Sequence, residues 1–233
     1  MSFCVVSSSP LSHLLASMWP SISVVQLCLT GLADLSMLPA IDVIQKNRRH
    51  FELYVALLHI AVSLAHNISQ SFDIPLFLSV DDWHNMSDVL WIAYFLLLCI
   101  HVLGLKDIQH TMILRYVAFS CAWMAKTKDT WTTNTYSTAL VSVAITLVVV
   151  TRLALRKSLL PIQLTEAGYA VAAGAVAMVL FLSPRIVHMG EVPFFTVVVP
   201  TFHLALGTMF YFGWKCVAAP AKLWDDSLTA HFI

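Results

Sequence analysis

The stretch that decides the fold is FELYVALLHIAVSLAHNIS, residues 51–69. At about 1.5 Å per residue, this apolar segment is long enough to cross a hydrocarbon core of roughly 30 Å. It nevertheless carries His59, Ser63 and His66, which a repeat of about 100° per residue places on one helical face. Imidazole and hydroxyl groups are costly against lipid, so this face is expected to turn toward other helices or water. The stretch therefore predicts a transmembrane helix with a buried polar face.

The whole chain has the composition of an integral membrane protein. Of its 233 residues, 59% are hydrophobic and 11% are charged, and its mean hydropathy is +0.80. About 25% of the residues in a soluble domain are charged. Thirteen basic and thirteen acidic residues cancel, so nucleic acid is not an expected partner. The five cysteines are scattered without a CxxC pair, and they indicate neither a disulfide framework nor a cysteine metal site.

Further apolar segments accompany residues 51–69 and together make seven expected spans, although Arg115 interrupts the fourth. The expected spans are 22–43, 51–69, 88–105, 108–125, 136–151, 166–183 and 193–214. The sequence therefore predicts an all-α, integral membrane protein with a seven-helix transmembrane domain over residues 22–218. A short lead-in at 1–21 and a short tail at 219–233 flank it.

Lysines and arginines predict how this bundle is oriented. If the N-terminus is outside, nine of them lie in inner loops and the C-terminal tail, and three lie in outer loops. The positive-inside rule favours this arrangement, which places the C-terminus in the cytosol. The expected location is the plasma membrane or an endomembrane. Two glycosylation sequons, at Asn67 and Asn85, fall on the outer side, and both lie close to the membrane.

Three polar residues from three spans are expected to converge near the outer surface. His66 lies near the outer end of the second span, Asp88 opens the third, and His203 lies in the outer half of the seventh. Imidazole and carboxylate groups are ligands that zinc binds, and zinc can lower the pKa of a bound water to about 7. Ser63, about one turn from His66, is placed to hydrogen-bond a ligand or a water.

Structural roles remain open for the same residues. His59 and His66 can serve as polar contacts between helices, and the local sequence favours Asp88 as a helix N-cap. Asp34 lies in the middle of the first span and needs a partner or a wet cavity, and Arg115 is a candidate partner. Asp34, His59 and Arg115 thus form a second polar set, which a small transporter or receptor would use as an intramembrane path.

Four segments resemble the transmembrane protein 8/myomaker family in their order and spacing. They are LPAIDVIQKNRRHFELYVALLHIAVSLAHN at 38–67, SDVLWIAYFLLLC at 87–99, MAKTKDTW at 124–131 and PTFHLALG at 200–207. The resemblance covers about residues 30–215. That family in turn resembles the CREST superfamily of seven-helix membrane proteins, which includes alkaline ceramidases and adiponectin-type receptors.

The resemblance implies a set of site residues. CREST proteins carry a serine and a histidine on helix two, an aspartate on helix three and a His-x-x-x-His pair on helix seven. Ser63, His66, Asp88 and His203 match this pattern, with His66 and His203 as implied zinc ligands and Asp88 and Ser63 as implied catalytic residues. Two departures occur: Val199 occupies the first position of the final pair, and the serine lies three residues before the histidine instead of four.

The implied function is hydrolysis of a lipid ester or amide with zinc as the cofactor. The alternative is a non-enzymatic role of the same fold in membrane remodelling, fusion or lipid binding, which Val199 favours. Membrane lipid is the expected partner under both interpretations, and homo-oligomerisation is left open.

Overall fold

A computed structural model describes residues 24–25, 27–129, 134–155, 159–186 and 197–217. These residues contain seven helices, and the described part of the chain has isolated β-bridges but no longer strand. The helices are α1 (Leu27–Lys46), α2 (His50–Phe72), α3 (Val80–Leu103), α4 (Ile108–Lys128), α5 (Thr135–Ala154), α6 (Leu164–Ile186) and α7 (Val199–Lys215). The predicted lead-in at 1–21, the tail at 219–233 and residues 193–196 of the seventh expected span lie outside the described residues.

Four of these helices, α1, α2, α3 and α5, are long and apolar enough to cross a membrane. In α5 only 6% of the most apolar window is buried, and Val143, Leu147, Val150 and Leu153 are exposed. Such a surface is expected where lipid surrounds the helix. The apolar part of α6, Leu164–Leu180, is shorter. The prediction of an all-α fold is confirmed for the described residues, and four helices are candidates for membrane spans. The number of seven spans and the orientation stay predictions.

The third helix begins well before its expected start at Asp88. Ser79 is its N-cap, because the Ser79 hydroxyl accepts a hydrogen bond from the backbone N–H of Asp82 at 3.1 Å. Asp88 therefore lies two turns inside α3, and its interpretation as a helix N-cap is wrong. The apolar pattern missed this start because the first two turns of α3 are polar.

Arg115 does not interrupt the fourth helix. Helix α4 runs continuously from Ile108 to Lys128, and Asp107 caps its start by accepting a hydrogen bond from the Gln109 N–H at 2.8 Å. The Arg115 side chain is buried and turns inward to a carboxylate, which removes the conflict between a charged residue and an apolar helix.

Helix α3 lies at the centre of the bundle, where it packs against α2, α4, α5 and α7. Helix α7 also packs against α1 and α6. Tyr94 of α3 and Phe210 and Trp214 of α7 are fully buried, and Trp214 Nε1 donates a hydrogen bond to the Tyr94 hydroxyl at 2.9 Å. Helices α1, α2 and α7 thus meet beside α3, and this junction holds the polar residues of interest.

A close contact between α1 and α7 fixes the register of this junction. A Cβ atom added at Gly207 would lie 2.2 Å from Ser36 Oγ and 2.7 Å from the Ser36 carbonyl oxygen, so the approach requires glycine. The Ser36 hydroxyl donates a hydrogen bond to the His203 carbonyl oxygen at 3.0 Å. The contact places His203 of α7 beside Asp34 of α1.

Candidate functional site

The carboxylate of Asp34 is the centre of the candidate site. Asp34 is 5% exposed. Its Oδ2 accepts hydrogen bonds from Ser63 Oγ at 2.7 Å and from Asn67 Nδ2 at 2.8 Å. Its Oδ1 lies 2.5 Å from His203 Nδ1. These four residues, which we call the Asp34 cluster, come from α1, α2 and α7. Asp34 has partners inside the bundle, as its position in the middle of the first span required.

Local sequence explains how two of these donors reach the same oxygen. Ser63 and Asn67 are four residues apart on α2, and residues at this spacing lie one above the other on one helical face. Directly after Asp34, α1 tightens into a short 3₁₀ turn at Leu35–Met37. Both oxygens of the Asp34 carboxylate are therefore engaged by neighbouring helices.

Asp34 and Arg115 belong to separate clusters, so Arg115, one candidate partner of Asp34, does not pair with it. Arg115 Nη2 lies 2.7 Å from Glu52 Oε1, and the ion-pair partner of Asp34 is His203. Glu52 was not predicted as a site residue, because a charged residue at the start of an apolar segment is usually solvated. In the structure, however, Glu52 is among the largest fully buried side chains.

A small cavity adjoins the Asp34 cluster. Its lining includes Asp34, His59, Ser63, Trp91 and His203. About 10 Å³ is available to the centres of water molecules, which is room for roughly one water. His59 Nδ1 is buried and has no hydrogen-bond partner among the described residues. His59 therefore contributes a polar atom to the site, and the residues of this cavity combine an acid, a base and space for a water.

A second group of polar residues lies beside the Asp34 cluster and includes His66, which is located between Ser63 and Asn67 on α2. Asp88 Oδ2 lies 2.6 Å from Lys126 Nζ and 3.3 Å from His84 Nε2. The rings of His66 and His84 have centroids 5.2 Å apart. His66 Nδ1 is buried and has no hydrogen-bond partner in the described part of the chain. We call these four residues the Asp88 cluster; the sequence pattern assigned no role to Lys126.

The three residues predicted to share one site are thus divided between two clusters joined by α2. His203 belongs to the Asp34 cluster, whereas His66 and Asp88 belong to the Asp88 cluster. Within the described ranges, no three His, Cys, Asp or Glu side chains are grouped so that they could hold a metal ion. The Lys126 ammonium already occupies the cation position at Asp88. His66, Asp88 and His203 therefore do not fit a zinc site in the arrangement that the structure shows. Zinc as a cofactor stays a prediction from the sequence.

Asn67, which is part of a glycosylation sequon, contributes its side chain to the site. Glycosylation modifies the Nδ2 atom of asparagine, and in this structure Asn67 Nδ2 donates to buried Asp34. The spacing of Ser63 and Asn67 was the signal that could have identified this contact from the sequence.

Comparison with known protein families gives one match. The family described as "Protein of unknown function (DUF3522)" matches residues 22–185, which is more than half of the chain. The match includes Asp34, Ser63, Asn67 and Asp88, and it ends before His203. No curated protein gave a match to the chain.

Proposed function

The chain belongs to the DUF3522 family, and we propose that it is a membrane-embedded hydrolase of a lipid ester or amide whose general base is the Asp34–His203 pair. The observation that carries this proposal is the 2.5 Å contact between Asp34 Oδ1 and His203 Nδ1. A buried carboxylate on Nδ1 fixes the orientation and tautomer of a histidine and stabilises its protonated form. Nε2 is then the ring nitrogen that exchanges a proton with water.

The proposed reaction is direct attack by water. His203 Nε2 takes a proton from the water as its oxygen bonds to the carbonyl carbon of the substrate. The same proton then passes to the leaving alcohol or amine as the ester or amide bond breaks, so proton and electron pair are both accounted for. Ser63 and Asn67 act as positioning residues, because they hold Asp34 Oδ2 and leave Oδ1 for His203.

The surroundings favour a lipid as the substrate. Ala33, Met37, Ile60 and Leu206 line the cavity beside the polar groups, and α1 and α2 are both long and apolar enough to cross a membrane. A substrate that reaches such a site from the bilayer carries apolar chains and a cleavable polar linkage. The resemblance to the transmembrane protein 8/myomaker family and to CREST hydrolases points to the same substrate class.

Zinc and the catalytic roles of Ser63 and Asp88 stay predictions beside this proposal. The Ser63 hydroxyl donates to Asp34, which favours a positioning role over a nucleophilic one. Metal analysis of the purified protein tests the zinc prediction: about one equivalent of zinc, lost in His66→Ala, would support it. Metal-free protein with full activity would contradict it.

One observation favours a second candidate function, a non-enzymatic role in lipid binding or membrane remodelling. Both Asp34 oxygens already have partners, and the cavity leaves room for roughly one water. A fully paired buried polar network is also what a purely structural junction between helices would contain. In that case the Asp34 cluster would fix the packing of α1, α2 and α7 without any turnover.

Analysis of lipid products distinguishes the two functions. Purified protein is incubated in nanodiscs that contain phospholipids and ceramide, and fatty acids, lysolipids and sphingosine are quantified by mass spectrometry. Asp34→Asn should lower the rate by about 10²–10⁴-fold, the usual contribution of a general base. The matched control is Asp42→Asn, because Asp42 is on the same helix and its side chain is 57% exposed beside Lys46.

Gel filtration first establishes that both variants are folded, and His203→Gln provides a second test. Absence of product from the unaltered protein, or equal rates in Asp34→Asn and Asp42→Asn, would refute the hydrolase proposal and favour the non-enzymatic role.

A further inference from the structure

A third group of charged residues, which we call the Glu52 cluster, lies at the N-terminal end of α2, away from the Asp34 and Asp88 clusters. It consists of Arg49, Glu52 and Arg115. Glu52 Oε1 lies 2.7 Å from Arg115 Nη2 and 3.5 Å from Arg49 Nη1. The side chains of Glu52, Arg115 and Arg49 are 2%, 9% and 12% exposed. Two guanidinium groups thus share one carboxylate, which leaves one positive charge in excess in a nearly closed position.

This excess charge is costly where it stands. Arg115 Nε is buried and has no hydrogen-bond acceptor among the described residues, which an anion would supply. Glu52 Oε2 is buried and lacks a donor there, so it does not contribute to this need. Burial lowers the pKa of Arg49 and the neighbouring Arg115 charge lowers it further, against the opposing effect of Glu52. Charged groups removed from water are stable only when they are paired, so the cluster would gain from one additional negative charge.

The Glu52 cluster lies at the first turn of α2, which is the headgroup level of a bilayer if α2 spans it. Arg49 directly precedes the membrane-spanning helix α2 and follows the basic turn that contains Lys46 and Arg48. The ring of Phe51 packs edge-on against Tyr116 of α4, with centroids 5.5 Å apart. Tyr54 and Tyr116 are 61% and 62% exposed on the outer surface of the bundle. Exposed aromatic side chains at a helix end are typical of the membrane interface.

We propose that Arg49 and Arg115 bind the phosphate of an anionic phospholipid between α2 and α4. A guanidinium group donates two parallel hydrogen bonds to a phosphate, and two such groups already face one position here. An anionic phospholipid supplies the one negative charge that the cluster lacks, whereas a zwitterionic phospholipid brings its own cation. Basic pockets between transmembrane helices are known binding sites for anionic headgroups. This proposal is independent of the hydrolase function.

Lipid retention in nanodiscs tests the proposal. The protein is reconstituted in phosphatidylcholine with and without phosphatidylglycerol, and the lipids that remain bound after transfer to detergent are counted by native mass spectrometry. Arg49→Gln should weaken phosphatidylglycerol retention by at least about tenfold, the effect of losing a charge-assisted hydrogen bond. Lys106→Gln is the matched control, because Lys106 is an exposed basic residue on a predicted inner loop. It should reduce retention by less than about fivefold, the general effect of one surface cation.

Two more measurements distinguish a phospholipid site from general charge attraction and from a site for a soluble anion. Arg49→Lys keeps the charge but loses the two-pronged geometry, so its retention should fall between those of the unaltered protein and Arg49→Gln. Equal losses in Arg49→Gln and Lys106→Gln, or equal retention of phosphatidylcholine and phosphatidylglycerol, would overturn the proposal. Millimolar inorganic phosphate that protects lipid-free protein from heat in an Arg49-dependent manner would also overturn it, because the ligand would then be a soluble anion.

Discussion

The Glu52 cluster predicts an asymmetry between two single substitutions that remove opposite charges. Glu52 contacts both Arg115 and Arg49, so Glu52→Gln leaves two buried guanidinium groups facing each other. Arg115→Gln leaves Glu52 paired with Arg49, although across a longer distance of 3.5 Å. We therefore expect Glu52→Gln to be the more destabilising substitution.

The magnitudes follow from the burial of the pair. Removing one partner of a buried ion pair typically costs roughly 3–5 kcal/mol. Glu52→Gln should lie in this range, because both cations lose their partner. Arg115→Gln should cost about 1–3 kcal/mol, since only one hydrogen bond between charged groups is lost. The double variant should be more stable than the sum of the single effects predicts, with a coupling of roughly 1–3 kcal/mol.

Equilibrium unfolding in mixed detergent micelles, followed by far-ultraviolet circular dichroism, measures these free energies. Lys46→Gln is the control, because Lys46 and Asp42 form an exposed pair and a surface substitution should stay within about 0.5 kcal/mol. The expected asymmetry is refuted if Arg115→Gln costs as much as Glu52→Gln. The expected coupling is refuted if the two single effects add within about 0.5 kcal/mol, since residues that share a partner do not behave in this way.

Three further predictions concern other parts of the bundle. Gly207→Ala should lower the free energy of unfolding by about 1–3 kcal/mol, because the added Cβ would collide with Ser36 of α1. Gly168→Ala is the control and should not lower it, because a Cβ added there has no atom within 4 Å. Thermal unfolding measures the stability of both variants. Although burial raises the pKa of Asp129, hydrogen bonds from Ser137 and Tyr136 together lower this pKa below its usual 3.8. The stability that Asp129 contributes is therefore present above pH 3.8 and is lost as pH falls through the lowered pKa, and an acid titration of Asp129→Asn should lack this component. Glycosidase treatment should reveal no glycan at Asn67, because its Nδ2 donates to a buried carboxylate.

The helices were largely predictable because membrane-spanning segments leave a simple signal. A run of about 20 apolar residues must be a helix if lipid surrounds it, since its backbone groups have no other partners there. The expected span at 51–69 corresponds to α2, His50–Phe72. The prediction failed where a helix leaves the apolar region: the turns of α3 before Asp88 contain Asp81, Asp82 and His84, and composition cannot distinguish such turns from a loop.

The partners within the site were harder to predict than its members. The sequence showed that Asp34 needs a partner and that Ser63 lies on a polar face, because both statements depend on local position. The identity of the partner depends on which helices are neighbours in the bundle. His203 is 169 residues from Asp34 along the chain, and Arg115 was an equally reasonable choice by charge alone. Only the packing of α7 against α1, through the Gly207 contact, decides between them.

The spacing of the ionisable residues on α2 was visible in the sequence and has a further meaning in the structure. Glu52, His59 and His66 are seven residues apart, so they lie on nearly the same face of the helix. Each of them has a buried side-chain atom without a hydrogen-bond partner among the described residues. The same face therefore carries polar groups along most of α2. Glu52 belongs to the Glu52 cluster, His59 lines the cavity beside the Asp34 cluster, and His66 belongs to the Asp88 cluster.

The distance between these clusters determines how the two proposals can be tested separately. Glu52 and Ser63 are eleven residues apart on α2, which corresponds to roughly 16 Å along the helix axis. Substitutions more than about 7–10 Å apart without shared partners usually have additive effects. The partners of Glu52 are Arg49 and Arg115, and those of Ser63 and Asp34 include neither arginine. Loss of anionic lipid in Arg49→Gln should therefore leave hydrolysis in the Asp34 cluster intact, and loss of hydrolysis in Asp34→Asn should leave lipid retention intact. A folded Arg49→Gln protein that lost both properties would mean that the lipid bound at Arg49 supports the reaction, because the two sites share a helix but no contact.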